Sequence, residues 1–297
     1  MYRPVGLLVC DFDETITQCD STCEIAKLAY EKRSRQGKCP RSDKNKSIDV
    51  CPRPWSHYVK SYFRERKEHI KRWHETNSNK SLQDHYEFLK TLGEVEMISM
   101  ERVEGDNCLS GICSSELFEH GRMLKKRDGA AEVLKRYLPK HRGGNDSRHL
   151  YILSTNWSRD MLFGSLKDYV GIEKERIVSN DLIFDEADTA TGKLERNVLS
   201  AIDKLKIFKS LEIPKGTMSV YIGDSDTDLP CMLEADIGII MGSNCALTET
   251  CEKFGIEVVD GLVGKINMKD FSSKKGCNKL FRVQEWKEIL DSKLLGD

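Results

Sequence analysis

Apolar residues along the chain fall into two rhythms. Short uninterrupted runs occur at Val5-Gly6-Leu7-Leu8-Val9-Cys10, His149-Leu150-Tyr151-Ile152-Leu153, Ser219-Val220-Tyr221-Ile222 and from Ile237 to Met241. Runs this short, cut off by turn-forming or acidic residues, read as strands buried on both faces, as in a parallel sheet. Between them a helical spacing predicts helices over 21–31, with Ile25, Leu28 and Ala29 on one face, and over 130–138, with Val133, Leu134 and Leu138 inward. Further helices are expected over 161–169, 204–211 and 229–235. Residues 177–180 and 182–184 read as extended, and Thr191-Gly192-Lys193-Leu194 as the return of a polar-tipped hairpin. Strands that alternate with helices predict an α/β protein with a Rossmann-like, doubly wound parallel sheet.

The alternation is interrupted between the first strand and the rest. Val59, Tyr62, Phe63, Ile70 and Trp73 keep a helical rhythm from Trp55 onward, and Tyr86, Leu89, Leu92, Leu117 and Met123 continue it. A core formed by 1–16 and 125–297, carrying a mostly helical inserted cap over 17–124, is therefore expected. The polar stretch 32–53, with Gly37, Pro40, Pro52 and Pro54, has neither period and reads as an exposed loop, as does Gly143-Gly144-Asn145-Asp146. There is no internal repeat and no low-complexity segment.

Composition narrows the class modestly. A net charge of −1 over 297 residues gives no global preference for nucleic acid or membrane. The first apolar run is too short for a signal peptide and ends in acids, and no stretch reaches membrane-spanning length. The 11 cysteines are an odd number, which favours free thiols in a reducing compartment, so a cytoplasmic protein is expected, with the nucleus left open. Cys19 and Cys23, Cys108 and Cys113, His69 and His74 have no zinc spacing. Lys32, Arg33, Arg35, Lys38, Arg41, Lys44, Lys46 and Arg53, against Asp43 and Asp49, make one basic run. No aromatic residue interleaves it, so it reads as a solvated loop, with an acidic partner as the alternative.

The chemistry lies in two aspartate clusters placed straight after strands: Asp11-Phe12-Asp13-Glu14-Thr15 and Gly223-Asp224-Ser225-Asp226-Thr227-Asp228. Open α/β sheets bind ligands at the carboxyl ends of their strands. Carboxylates gathered there repel one another unless a cation or a shared proton intervenes, and hard oxygen ligands suit Mg²⁺, held by Asp11, Asp13 and Asp224. Asp11 and the carbonyl of Asp13 can meet one metal while the Asp13 side chain swings toward a substrate. One carboxylate then attacks phosphorus while the other protonates the leaving oxygen and activates water. Ser154 and the amides of Thr155 and Asn156, where a strand gives way to a helix, are placed to grip phosphate oxygens. Lys204 is the candidate for neutralising the transferring group, with Lys206 and Lys209 in its place should the helix start elsewhere.

These residues, in this order, resemble the haloacid dehalogenase superfamily of aspartate-nucleophile phosphatases, whose four motifs match Asp11-Phe12-Asp13-Glu14-Thr15, Leu153-Ser154-Thr155, Lys204 and Gly223-Asp224-Ser225-Asp226-Thr227-Asp228. The resemblance implies that Asp11 is the nucleophile forming an aspartyl-phosphate and Asp13 the general acid/base. It further implies that Asp224 is a metal ligand and Asp228 its support. Thr15 to Ala26 resembles the phosphoserine phosphatase branch, where an acid at the position of Asp20 meets the substrate's ammonium group. A closer similarity is to plant thiamine monophosphate phosphatases, in Asp20-Ser21, in Thr191-Gly192-Lys193-Leu194-Glu195-Arg196 and above all in Ser219-Val220-Tyr221-Ile222-Gly223-Asp224-Ser225 with Leu233-Glu234-Ala235-Asp236-Ile237-Gly238-Ile239. It departs from them in its more basic stretch and in the acid Asp226.

The expected activity is a Mg²⁺-dependent phosphomonoesterase for a small-molecule phosphate ester, thiamine monophosphate first, with no nucleic-acid or membrane partner. Alternatives are a phosphoamino acid, a nucleotide or another cationic phosphate, or a catalytically silent protein that binds an acidic partner through its basic loop. Asp20 would balance the thiazolium charge. Trp55, Tyr62, Phe63 and Trp73 are expected to bury against other cap helices, and Trp157 either walls the site or plugs the sheet. Asp226 reads as a solvated loop acid, and Cys10 and Cys231 as packing residues.

Overall fold

The computed structural model describes residues 3–36, 53–138, 148–266 and 278–296. In chain order the elements are β1 (Val5–Cys10), α1 (Thr22–Arg35), α2 (Trp55–Thr76), α3 (Leu82–Gly105), α4 (Ser114–Arg122), α5 (Ala130–Tyr137), β2 (His149–Leu153), α6 (Arg159–Val170), β3 (Ile177–Val178), β4 (Asp181–Phe184), β5 (Ala190–Glu195), α7 (Ala201–Ser210), β6 (Met218–Gly223), α8 (Leu229–Glu234), β7 (Ile237–Met241), α9 (Cys245–Lys253), β8 (Glu257–Asp260), β9 (Lys279–Val283) and α10 (Trp286–Asp291).

Seven strands form one sheet in the order β3-β2-β1-β6-β7-β9-β8, every neighbouring pair parallel. All six residues of β1 are buried, because this strand has helices on both faces. Leu8 and Cys10 pack with Val133 and Leu134 of α5, Leu162 and Leu166 of α6, and Trp286 of α10. Leu7 and Val9 point the other way, to Phe208 of α7, Met232 of α8 and Leu247 of α9. Each such leucine contributes about 2 kcal/mol through its buried surface. The chain leaves β1 toward β2 and β3 on one side, and β6 lies on the other. The crevice where strand order reverses thus opens above β1 and β6, and that switch point is where a doubly wound sheet takes its ligand.

Among the described residues, 17–124 contributes four helices and no strand of the large sheet. The α2 and α3 helices lie side by side, joined by Tyr62 to Glu96 (2.5 Å), His69 to Thr91 (2.8 Å) and Arg102 to Glu65 (2.6 Å to Oε2). The α1 helix is tied to α4 by His120 and Glu24 at 2.8 Å. The α4 helix is pressed against α6: a Cβ on Gly121 would lie 2.0 Å from the Met161 carbonyl oxygen, and one on Gly164 2.0 Å from that of Phe118. Only glycine allows two helix backbones to approach this closely. The antiparallel hairpin of β4 and β5 joins the same apolar cluster, where Leu182, Ala190 and Leu194 meet Ile25, Met100 and Leu117.

Several boundaries differ from the sequence expectation. The α1 helix runs on through Arg35, so the polar stretch opens as a helix. Lys32 pairs with Glu116 at 2.6 Å, Arg33 reaches Ser110 at 2.9 Å and Arg35 pairs with Glu31 at 3.5 Å, so none of the three is a loop charge. The rest of the stretch through Pro52, with Lys38, Arg41, Asp43, Lys44, Lys46 and Asp49, lies outside the described residues, as does the 143–146 loop. The α7 helix begins at Ala201, three residues ahead of the expected start, because Ser200 and Asp203 close a capping box. Strands β8 and β9 and helices α9 and α10 had no reading from sequence, since their short mixed runs show neither rhythm clearly. No described helix is long and apolar enough to cross a membrane.

Candidate active site

Three neighbouring strand ends supply the site. Past the end of β1 the Asp11 amide still donates to the Ile222 carbonyl at 2.9 Å, which holds Asp11 alongside the loop after β6. Carboxylate oxygens of Asp11, Asp224 and Asp228 lie within 4.8 Å of one another, and all three residues are buried. Lys204 donates to Asp11 at 2.8 Å and to Asp228 at 2.8 Å. Its side chain is only 1% exposed, whereas Lys206 is 69% exposed and paired with Asp203, and Lys209 is paired with Glu234. The helix cap at Ser200 therefore decides which lysine turns inward.

Asp228 is fixed more firmly than any other acid here. It accepts from Tyr221 at 2.8 Å, from the Ser225 amide at 3.3 Å and from the Ser225 hydroxyl at 3.1 Å. A side chain at 223 would forbid this, since a Cβ there would sit 2.4 Å from the Cγ of Asp228. Asp224 accepts from Thr15 at 3.1 Å, and the Thr15 carbonyl is held by the indole N–H of Trp286 at 2.9 Å. Thus α10, far along the chain, steadies the loop after β1.

Three buried carboxylates share one ammonium group, so the cluster carries surplus negative charge. Burial raises the Asp11 carboxyl well above its usual range, against the pull of Lys204, and Asp228 and Asp224 add to the rise. Burial and then Asp228 push Asp224 up to about 7. Burial pulls the Lys204 pKa down, but Asp11 and Asp228 outweigh it and raise it. A compact, oxygen-only, electron-rich cluster fits a small divalent cation.

The Asp13 side chain turns away from this cluster. It accepts from the Ser21 amide at 2.8 Å, from the Ser21 hydroxyl at 2.5 Å and from the Asn156 side-chain amide at 2.8 Å. Burial, followed by the nearby charge of Asp20, pushes it up to about 6 despite those bonds. Ser154 is buried, and its hydroxyl accepts from the Asn156 amide at 3.1 Å. That main-chain amide, expected to face phosphate, is thus already engaged, and Asn156 instead orients Asp13. The Thr155 carbonyl is held by Asn180 at 2.9 Å.

Thr155, next in the chain to Ser154, lines a cavity of about 310 Å³ walled by Trp55, Tyr62, Phe63 and Trp157 and bearing Asp20 and Glu96. Trp157 both walls it and plugs the fold: it is 7% exposed and meets Trp55 edge-on at 6.2 Å between centroids. Phe63, expected to be buried, is 62% exposed, and of these four α2 aromatics, Trp55, Tyr62, Phe63 and Trp73, only Trp73 is confined to packing, against Phe88.

Against known structures, a phosphoserine phosphatase solved as a phospho-aspartyl intermediate analogue matches with a TM-score of 0.51 at 16% identity, over 97% of this chain and 98% of that one. The chain has the haloacid dehalogenase fold. No protein-family model matches it. In sequence it is 30% identical to the "Bifunctional TH2 protein, mitochondrial" of Arabidopsis thaliana over 94% of this chain, and it spans 48% of that relative's length. It is 27% identical to a "CTO1 family protein" of Schizosaccharomyces pombe, over 86% of this chain and 88% of that one.

Within the haloacid dehalogenase fold two departures from the sequence reading stand out. Asp226 is not a freely solvated acid. Its side chain is 27% exposed, accepts from Thr250 at 3.3 Å and lies 3.6 Å from His85 of α3. The imidazole is buried between Phe88 and Phe254, so α3 meets the loop carrying Asp224 directly. Glu96, Tyr221 and Trp286 had no functional reading. Each sits in an ordinary helix or strand pattern, and only the tertiary contact reveals its partner. Cys10 and Cys231 are fully buried, and burial pushes both thiols up, as packing residues require.

Proposed function

We propose that the protein is a Mg²⁺-dependent phosphomonoesterase in which Asp11 is the nucleophile. The convergence of Asp11, Lys204, Asp224 and Asp228 at adjacent strand ends carries this reading. An oxygen of Asp11 attacks phosphorus, the P–O bond to the alcohol breaks, and Asp13 gives its proton to the leaving oxygen. Asp13, now a carboxylate, takes a proton from water, which attacks the aspartyl-phosphate and releases inorganic phosphate and free Asp11. Lys204 supplies positive charge beside Asp11 throughout, and the Ser154 hydroxyl is placed to donate to a phosphate oxygen. The carboxylates of Asp11 and Asp224, with the carbonyl of Asp13, would hold Mg²⁺, and bound there it supplies Lewis acidity that offsets anion–anion repulsion.

Thiamine monophosphate is the leading substrate. Similarity to plant thiamine monophosphate phosphatases supports it, as does an acid-bearing aromatic cavity lined by Thr155, the neighbour of Ser154. Residues 17–124 would act as a cap that shields the reacting centre from water. Phosphate release from a panel of phosphomonoesters, with Mg²⁺ present, tests the reading. The panel contains thiamine monophosphate, phosphoserine, nucleoside monophosphates and p-nitrophenyl phosphate. Asp11→Asn is expected to abolish release while circular dichroism and thermal melting stay native. No turnover of any ester by the wild type would overturn the activity, and a far higher kcat/KM for another member would displace thiamine monophosphate.

A further inference from the structure

We infer that Glu96, oriented by Tyr62, is the residue that selects a flat aromatic cation as the alcohol portion of the substrate; this rests on the phosphomonoesterase reading and assigns specificity within it. The cavity places acids and aromatics without any base: among the described residues no lysine, arginine or histidine lines it. Trp55, Tyr62, Phe63 and Trp157 line a space suited to a ring-sized ligand, and aromatic faces attract cations. An anionic group would meet two carboxylates there and no cationic side chain among the described lining residues.

Two acids face that space, and they are not equivalent. Asp20 is exposed, and its carboxylate already accepts from the Thr22 amide at 2.7 Å. Water screens such a charge. Glu96 is half-buried on α3 and accepts the Tyr62 hydroxyl at 2.5 Å, which leaves its second oxygen for a ligand. Burial raises the Tyr62 phenol, with Glu96 adding to the rise, so the phenol stays a donor. Burial likewise raises the Glu96 carboxyl, and the Tyr62 hydrogen bond and then the nearby Arg66 only partly oppose this. An opposite charge in so apolar a surrounding interacts far more strongly than at the surface.

The cavity also adjoins the phosphate-gripping loop. Asp20, which lines the cavity with Glu96, is close enough to both Asp13 and Glu96 to raise each of them. Thr155, adjoining Ser154, lines the same cavity. A phosphate held at Asp11 and Ser154 would therefore have its ring within reach of the cavity that bears Glu96.

The test compares wild type with Glu96→Gln and Tyr62→Phe in two measurements. In turnover, Glu96→Gln should lower the ratio of kcat/KM for thiamine monophosphate over p-nitrophenyl phosphate by about tenfold, chiefly through KM. Tyr62→Phe should lower it less. In calorimetry, thiamine should bind wild type, bind Glu96→Gln about tenfold more weakly, and outcompete the uncharged 5-(2-hydroxyethyl)-4-methylthiazole. An unchanged ratio, or equal binding of charged and uncharged rings, overturns the assignment. Should wild type release no phosphate, the activity falls, and the binding arm still decides on Glu96. Should Glu96→Gln fail to fold, Tyr62→Phe and the charged-against-uncharged comparison on wild type decide it.

Discussion

The carboxyl of Asp13 shows how one side chain is tuned by its neighbours. Burial does most of the work, the charge of Asp20 adds to it, and three hydrogen bonds from Ser21 and Asn156 oppose them, with a net position at about 6. Asp20 disfavours the ionised form, so Asp20→Asn should lower the pKa of Asp13. An acid that must be protonated to release an alkoxide then loses its proton at lower pH. The expected outcome is that the alkaline fall of kcat on a simple alkyl phosphate moves to lower pH, read from pH–rate profiles; a shift to higher pH would contradict it. The aspartates were legible as residues because acids directly after an apolar run have few other uses. Their partners were not: Tyr221 looks like any strand residue, and its bond to Asp228 exists only once β6 and the following turn are folded.

At the scale of elements, rhythm located the buried strands and the long helices. It failed where another force sets the boundary. The first helix persists through basic residues because α4 and the 107–110 turn supply them with partners. Helix α7 starts early because of its capping box. No hydrophobic spacing could announce the crossing of α4 and α6, which depends on two missing side chains. Gly164→Ala would put a methyl group 2.0 Å from the Phe118 carbonyl oxygen, where backbone must yield. Chemical denaturation should show a loss of about 3 kcal/mol, well beyond the propensity gain of alanine within a helix.

Across the whole molecule, the parallel doubly wound sheet was readable from the alternation of elements, but its edge was not. The contacts that join distant parts were equally hidden. Glu104 of α3 accepts from the Leu194 amide of the hairpin at 2.7 Å and from Arg196 at 2.8 Å. Burial alone would raise its carboxyl, but Arg196 and the Leu194 amide outweigh that and hold it below the ordinary 4.5. Its contribution is therefore present above about pH 4.5 and lost as pH falls through the lower folded value. Glu104→Gln should cost about 2 kcal/mol at pH 7, measured by urea unfolding, and the difference from wild type should shrink once the medium is acidic enough to protonate Glu104.

The position of β9 governs how the protein can be made. It is the last strand in the chain yet lies between β7 and β8, both synthesised before it. Until Lys279–Val283 has left the ribosome, Ile237–Met241 and Glu257–Asp260 have no mutual pairing to form, and the apolar edge of Ile239 and Ile240 stays open to any other strand. A nascent chain paused in that interval has Asp11, Asp224 and Asp228 already translated but its sheet unfinished, and it is then that it most needs a chaperone's cover.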